Sequence, residues 1–384
     1  MAKQRLLLIT RNFPPLWGGM ERLNWHLAAE AAKYFTTRCI APIGAKTHAP
    51  EGVQVSELPL RPLWRFILKA TALALWQSQS FKPDIVLAGS GLIAPIAWIA
   101  ARLARAHAVA YVHGLDLTVP HPIYRAFWLP ALRHMDRVIA NSAATANLAK
   151  NIGIPAERIA IVHPGVSMPA LAPEARQRFR KMYGLGGAPV LLSIGRLTTR
   201  KGLKEFVVEV LPHIVEKQPN ALLVVVGDTP INALYAEPQT RGAILSAAKS
   251  AGVGNHVMFL GVMFGEALAE AYAGADVHVF PVRQLPDDPE GFGMVAIEAA
   301  AHGLPTVAYA TGGVVDAVRE GISGRLVKPG DSQAFADAVI AMYASPPPNN
   351  GIRNFASEFE WQNFGEKIVS QLLYSRVDDH FDSA

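Results

Sequence analysis

The chain repeats one local pattern from end to end: a short run that is apolar on both faces, then a stretch with helical spacing. Residues 5–10 (RLLLIT), 84–89 (DIVLAG), 108–114 (AVAYVHG), 137–142 (RVIANS) and 159–165 (IAIVHPG) form a first series. Residues 189–197 (PVLLSIGRL), 221–228 (ALLVVVGD), 257–261 (VMFLG), 276–281 (DVHVFP) and 305–311 (PTVAYAT) form a second. A strand with no polar face must be covered on both sides, as parallel strands joined by crossover helices are. The alternation predicts doubly wound, Rossmann-like α/β sheets. Two series in 384 residues, too long for one core, predict two domains.

Residues 164–190 separate the series and hold Pro164, Pro169, Pro173, Pro189 and the pair Gly186-Gly187, a composition that marks a hinge. The expected domains are 1–168 and 186–355. Residues 345–350 (SPPPNN) make a second break, and the tail 356–384 has helical spacing and is expected to pack back on the N-terminal domain.

Composition removes several function classes. Half the residues are hydrophobic and no segment is of low complexity, so the chain is globular. Cys39 is the only cysteine, which excludes an internal disulfide and a cysteine zinc cluster and suggests a reducing, cytoplasmic setting. The opening MAKQRLLLIT reads as a first strand, not a signal peptide, and no apolar run is long enough to span a membrane. The formal charge of +5 fits a mildly basic cytosolic protein, an anionic membrane surface or phosphate-bearing substrates. There is no basic run of five and no nucleic-acid signature, so nucleic acid is not an expected partner.

Residues 289–308 (PEGFGMVAIEAAAHGLPTVA) set Glu290 and Glu298 eight positions apart where little else is charged. Gly291 and Gly293 let a ligand come close to backbone. A helix is predicted from near Gly293 to Gly303, its first amides facing a strand end, where an anion or hydroxyl can bind. Glu290 in the loop can accept two sugar hydroxyls, and Glu298 a second pair such as those of a ribose. Two solvated acids are the plain alternative; the glycine pattern favours a site.

Residues 195–202 (GRLTTRKG) carry Arg196 and Lys201 from a strand end into a loop that opens a helix. A planar fork and a point charge suit a diphosphate. Gly18-Gly19 in PPLWGGMER form another strand–loop–helix cradle, without the dinucleotide spacing or the P-loop lysine. His113 and Asp116 lie at the strand end YVHGLDL, and NSAAT reads as a helix start capped by Asn141 or Ser142. In residues 61–80, Arg61, Arg65 and Lys69 recur every four residues beside Trp64, Phe66 and Leu68. That is a core helix with basic ends, or a basic amphipathic surface for anionic lipid or a lipid-linked acceptor.

Together these motifs resemble the retaining glycosyltransferases of family 4, with the GT-B fold of two Rossmann-like domains facing a central cleft. The pattern E-x7-E within E-G-F-G…E-A-x-A-x-G-x-P runs from Glu290 to Pro305, and G-R-L-x-x-x-K-G from Gly195 to Gly202. GDTP (227–230), VMFLG, residues 266–281 and TGGVVDAV (311–318) follow further family elements. The first domain supplies G-G-x-E at 18–21, H-G-x-D at 113–116 and S-x-x-T at 142–145. Asp316 stands where many relatives carry Glu, and residues 163–166 (HPGV) replace the commoner Asn-Gly-Val-Asp.

The resemblance implies a hexosyltransferase that moves a sugar from a GDP- or UDP-sugar to a glycan or lipid-linked acceptor. Such chemistry serves cell-surface polysaccharide, lipopolysaccharide or glycolipid synthesis, here by a cytoplasmic enzyme peripheral to the membrane. Gly195, Arg196 and Lys201 would hold the donor diphosphate, with Gly18 and Gly19 approaching it from the first domain. Glu290 would bind donor-sugar hydroxyls beside the backbone of Phe292, Gly293 and Met294, Glu298 the ribose, and His113 would orient the sugar. Asp116, Arg61, Arg65 and Lys69 would face acceptor or membrane. No Asp-x-Asp pair is present, so neither metal nor other cofactor is expected; cations and helix amides would stabilise the leaving diphosphate. Alternatives are a GT-B sugar-nucleotide epimerase, which needs no acceptor, and a non-catalytic nucleotide-sugar-binding protein. A glycosidase also uses two carboxylates but needs no phosphate-binding context.

Overall fold

Side chains of β1 (Arg5–Ile9) alternate between two fully buried faces: Leu7 and Ile9 join one helix layer, while Leu6 and Leu8 are as deeply buried on the other. This first strand lies inside a seven-stranded parallel sheet with β2 (Thr36–Pro42), β3 (Val53–Leu58), β4 (Ile85–Ala88), β5 (His107–Val112), β6 (Arg137–Ala140) and β7 (Ile159–Ile161), in the order β3-β2-β1-β4-β5-β6-β7. A second, six-stranded parallel sheet contains β8 (Val190–Ile194), β9 (Leu222–Val226), β10 (Val257–Gly261), β11 (Val277–Phe280), β12 (Thr306–Tyr309) and β13 (Gly324–Val327), in the order β10-β9-β8-β11-β12-β13. The computed structural model describes residues 3–170, 172–229 and 237–374; Pro230 of the GDTP element and the tail beyond 374 lie outside them.

Contacts divide the chain into two units, Met1–Gly165 with Trp361–Ala384, and Val166–Glu360. The sequence reading puts the first boundary at 168 and starts the tail helix at 356. The break falls at Gly165/Val166, and two helices, Asn349–Ser357 and Trp361–Tyr374, occupy the region instead of one. In each sheet the strand order reverses once, between β1 and β4 and between β8 and β11. Loops leaving the C-terminal ends of these strands diverge there and open a crevice for ligands.

Three strands are absent from the sequence reading: β2, β3 and the edge strand β13. β2 opens on exposed Thr36 and half-buried Arg38, β3 is half-buried along most of its length, and β13 is four residues long with Arg325 in solvent. β3 and β13 are not apolar runs because an edge strand needs cover on fewer sides, whereas β2 lies inside the sheet and is masked only by its polar first residues. The basic stripe also needs correction. The helix is Leu63–Ser80, preceded by Pro62, so Arg61 stands before it and only Arg65 and Lys69 are exposed on it. Phe66 is fully buried and belongs to the core, not to the basic face.

The final described helix, Trp361–Tyr374, lies on the helix Gly19–Tyr34 of the first unit. The Trp361 ring stacks on His26 with centroids 3.8 Å apart and planes 5° from parallel, and Phe364 meets Tyr111 edge-on. Burial, with Arg22 and Lys33 adding, holds the His26 pKa down to about 4, so the ring packs neutral. Trp361→Ala is therefore expected to lower the stability of the first unit by about 3–5 kcal/mol. Because the folded pKa lies below the unfolded value of about 6.5, the contribution of His26 is complete above that pH. It is lost as pH falls toward 4. Thermal unfolding of Trp361→Ala and parent between pH 4 and 7.5 checks both; equal midpoints would refute the docking role.

Candidate functional site

In the second unit β8 ends at Ile194, and Gly195 begins a loop that closes as a 3-10 turn, Thr199–Lys201. Gly202 then starts the helix Leu203–Glu209 in the left-handed region at φ +69°. A side chain there is excluded twice over, since a Cβ would lie 2.1 Å from the Pro281 carbonyl oxygen. This close approach sets the loop after β8 directly on the loop after β11.

The two loops are joined by charge. Lys201 Nζ donates to Glu290 Oε2 at 2.8 Å, and Arg200 Nη1 lies 2.9 Å from the same oxygen. Arg200 also reaches Asp288 Oδ1 from its Nε at 3.4 Å. The Arg200, Lys201 and Glu290 side chains are only 11%, 17% and 11% exposed, so these interactions act with little screening. Burial pushes the Glu290 carboxyl up, but Arg200 and Lys201 together outweigh it and hold the pKa down to about 2. Burial in turn lowers the Lys201 pKa, against the pull of Glu290. Lys201 Nζ also sits 4.6 Å from the Phe280 ring centroid. A small recess opens here, lined by Ser193, Gly195, Arg196, Lys201 and Phe280, with the exposed Arg196 at its edge.

Two further motifs lock onto this loop. The Gly313 amide donates to the Glu290 carbonyl at 2.9 Å, and a Cβ on Gly313 would fall 2.1 Å from the Gly291 carbonyl oxygen. The TGGVVDAV turn therefore fixes the backbone that carries Glu290. The helix Met294–Ala301 starts after Gly293, and Phe292 is buried behind it. Glu298, in its second turn, accepts a 3.0 Å hydrogen bond from Tyr272 Oη, whose ring stacks on His302. Glu290 and Glu298 thus sit on neighbouring segments with different partners: two cations hold one, a phenol the other.

The first unit builds a buried polar cluster. His113 follows β5 and caps the helix Gly114–Thr118; its backbone amide donates to Asp116 Oδ2 at 2.9 Å. Burial raises the Asp116 pKa and lowers that of His113. His113 Nδ1 is 3.3 Å from Asn141 Nδ2, while its Nε2 is shut off from water with no partner. Asn24, whose Nδ2 donates to the Gly89 carbonyl, likewise leaves Oδ1 buried and unpartnered. Unsatisfied buried polar atoms are each unfavourable by about 1–3 kcal/mol, and they mark places where a ligand group can pair. Gly18 precedes the helix Gly19–Tyr34, and Glu21 in its first turn accepts from Asn12 Nδ2 at 2.8 Å. Ser142, not Asn141, caps the helix Ala143–Asn151 by accepting from the Thr145 amide.

Two residues escaped the sequence reading. Arg200 was hidden beside Lys201 in the same motif, where the pattern assigns a role only to the lysine. His278 looks like a polar accident in the strand DVHVFP. It is fully buried with Nδ1 3.0 Å from Thr306 Oγ1, and burial, with the charge of Lys201, holds its pKa down to about 3.

Two family descriptions match the chain: "Glycosyl transferases group 1" over residues 175–359 and "Glycosyltransferase Family 4" over residues 17–168. A GDP-mannose-dependent alpha-(1-6)-phosphatidylinositol monomannoside mannosyltransferase of Mycolicibacterium smegmatis is 30% identical over 393 residues, covering 96% of this chain and 98% of its own. The chain belongs to glycosyltransferase family 4. A D-inositol 3-phosphate glycosyltransferase of Geodermatophilus obscurus is 30% identical over 339 residues, or 83% of this chain and 72% of that one. Among solved structures, HepE of Anabaena in complex with UDP-glucose superposes with a TM-score of 0.78 at 20% identity, covering 96% and 99% of the two chains. The glycosyltransferase therefore has the GT-B fold and uses a nucleotide sugar.

Within this family 4 enzyme the ion cluster gives a sharp pH test. Arg200→Met removes the largest charge that opposes the burial of Glu290 and leaves Lys201 with the smaller effect of Arg196, so the carboxyl pKa should rise. A carboxylate depressed in the folded state stabilises it above the unfolded value of about 4.3. That stability is lost as pH falls toward the folded value of about 2. The gap in melting temperature between parent and Arg200→Met should be widest above about pH 5 and should close on acidification. A gap that stays constant down to pH 3 would rule out Glu290 as the partner that matters.

Proposed function

We propose that this glycosyltransferase moves a sugar, with retention of anomeric configuration, from a GDP- or UDP-sugar to a lipid-linked or glycan acceptor at the cytoplasmic face of a membrane. The reaction would serve cell-surface glycolipid or polysaccharide synthesis. The observation that carries this reading is the meeting of Arg200, Lys201 and Glu290 at the C-terminal edge of the second sheet, beside a recess edged by Arg196. Cations at such an edge suit a leaving diphosphate, and a carboxylate held charged suits the hydroxyls of the sugar it leaves.

In this reading Arg196 and Lys201 take up the charge that develops on the departing phosphate. Glu290 orients the donor sugar, and Glu298, steadied by Tyr272, binds the ribose. The acceptor hydroxyl attacks from the face the diphosphate leaves, and a phosphate oxygen takes its proton. His113, neutral because it is buried, offers Nε2 to a sugar hydroxyl. No divalent ion is assigned a part. The relatives support the substrate classes: one is named for GDP-mannose and a phosphatidylinositol monomannoside, and HepE is seen with UDP-glucose.

Lys201→Ala and Arg196→Ala are expected to keep the fold and to lower kcat/KM by about tenfold to a thousandfold. Folded variants with unchanged kcat/KM would sink the diphosphate assignment. Thermal stabilisation by a panel of UDP-, GDP- and ADP-sugars identifies the donor. Product analysis with the donor so found separates transfer from epimerisation, since an epimerase converts the donor without acceptor. Turnover should survive excess EDTA; complete loss, restored by Mg²⁺ or Mn²⁺, would overturn the metal-free mechanism.

A further inference from the structure

β11 places a histidine where its strand neighbours are apolar. Val277 and Val279 join one helix layer, together with Val225 and Val307. His278 and Phe280 therefore face the other layer, beside Leu192 on β8 and Thr306 and Ala308 on β12. His278 is fully buried there. Its Nδ1 lies 3.0 Å from Thr306 Oγ1, while its Nε2 is closed off from water with no hydrogen-bond partner among the described residues. A buried polar atom without a partner is unfavourable, and a valine or leucine would fill the same place with none. A histidine kept at the expense of stability needs a reason outside packing.

The reason is the residue it stacks on. The His278 and Phe280 rings have centroids 5.7 Å apart and planes 25° from parallel. Phe280 in turn carries Lys201, whose Nζ is 4.6 Å from the ring centroid and 2.8 Å from Glu290 Oε2. A lysine is a point charge on a flexible stem, so one carboxylate fixes it in one direction only, and the ring supplies a second. Gly293 cannot brace that ring from its own side: its φ is +95°, and a Cβ there would lie 2.9 Å from Phe280 Cε1. We propose that His278 is a positioning residue for Lys201. The Thr306 hydroxyl fixes the imidazole plane, the imidazole fixes the Phe280 plane, and Phe280 sets where the ammonium stands. Burial and the charge of Lys201 keep the imidazole neutral, so it brings no second positive charge to the ring that binds the first.

The effect of His278 on turnover rests on the reading of Lys201 as a diphosphate ligand. The place of the ammonium over Phe280 does not, and it can be measured without donor or acceptor, so the two readings can fail separately. His278→Leu alone would strand the Thr306 hydroxyl. His278→Leu/Thr306→Val removes both polar groups, and replacing both partners of a hydrogen bond by apolar groups of like shape is close to neutral or stabilising. The double variant should therefore melt no more than about 3 °C below the parent, or above it.

The test follows the ε-methylene signal of Lys201 by NMR in the full chain labelled with carbon-13 lysine. The ring current of Phe280 should shift that signal upfield of the other lysines, and its absence in Lys201→Ala assigns it. In His278→Leu/Thr306→Val the signal should move back among the others, and kcat/KM should fall about tenfold to a hundredfold, chiefly through kcat. His278→Phe/Thr306→Val restores a ring that needs no hydrogen bond, and should recover the upfield signal and most of the rate. An unmoved signal in the folded Leu/Val variant overturns the proposal. So does a folded Phe/Val variant no better than the Leu/Val one. A Leu/Val variant that melts far below the parent overturns it too, by marking His278 as an ordinary core residue. A displaced signal with parental kcat/KM would support His278 as the residue that positions Lys201 and remove Lys201 from the diphosphate.

Discussion

A guanidinium, an ammonium and a carboxylate converge on a single oxygen, Glu290 Oε2, where little water reaches them. Removing any one would leave its partners charged and buried, the situation that is most unfavourable for an ion pair. This mutual dependence holds three loops in register. Arg200 and Lys201 come from the loop after β8 and Glu290 from the loop after β11, while the turn after β12 grips the Glu290 carbonyl through the Gly313 amide. The cluster is not neutral, however. Arg196, Arg200 and Lys201 stand against Asp288 and Glu290, so an excess of positive charge remains where the recess opens. An anion can be attracted there without the carboxylate having to give up its role.

The two units solve the problem of polar groups at a strand end in opposite ways. The second neutralises charge with charge. The first relies on burial instead: it raises the Asp116 pKa, lowers that of His113, and leaves His113 Nε2 without a partner. A paired charge and an unpaired neutral nitrogen differ in what they can do next. The ion cluster is already satisfied and must be partly exchanged by a ligand, which makes binding selective for something that brings negative charge. The imidazole Nε2, shut off from water, gains a partner only where a ligand group can reach it.

How much of this was legible in the sequence follows from burial. Strands sealed on both faces announce themselves as apolar runs, and the edge strands β7 and β10 were readable as well because they keep apolar residues though partly exposed, so ten of the thirteen described strands were legible. β3 and β13 were not, because these edge strands keep polar residues, and β2 opens on exposed Thr36. Motif spacing singled out Glu290, Lys201 and Glu298 as site candidates, but it could not reveal that Arg200 and not Arg196 meets Glu290. A loop may present either of two nearby arginines, and only the 3-10 turn at Thr199–Lys201 decides. Phe66 was misplaced for a similar reason. Its neighbours Trp64 and Leu68 are exposed, yet two residues along a helix is about 200° of rotation, the opposite side.

That rotation also explains why the first unit has one closed and one open side. The chain returns after Glu360 to lay Trp361–Tyr374 on the helix Gly19–Tyr34, and Trp361 and Phe364 are buried there as a result. No described segment returns over Leu63–Ser80, Ala94–Ala104 or the turn at Tyr124–Trp128. Had their outer residues been chosen only for solubility, acids would be expected among them, since interspersed charges of both signs keep a surface from sticking. Exposed rings and cations stand there instead, and Arg102 pairs with Asp136 just beyond the layer at 3.1 Å. One side of the first unit is therefore left open, on the layer whose Tyr124 hydroxyl holds the Asp116 carbonyl.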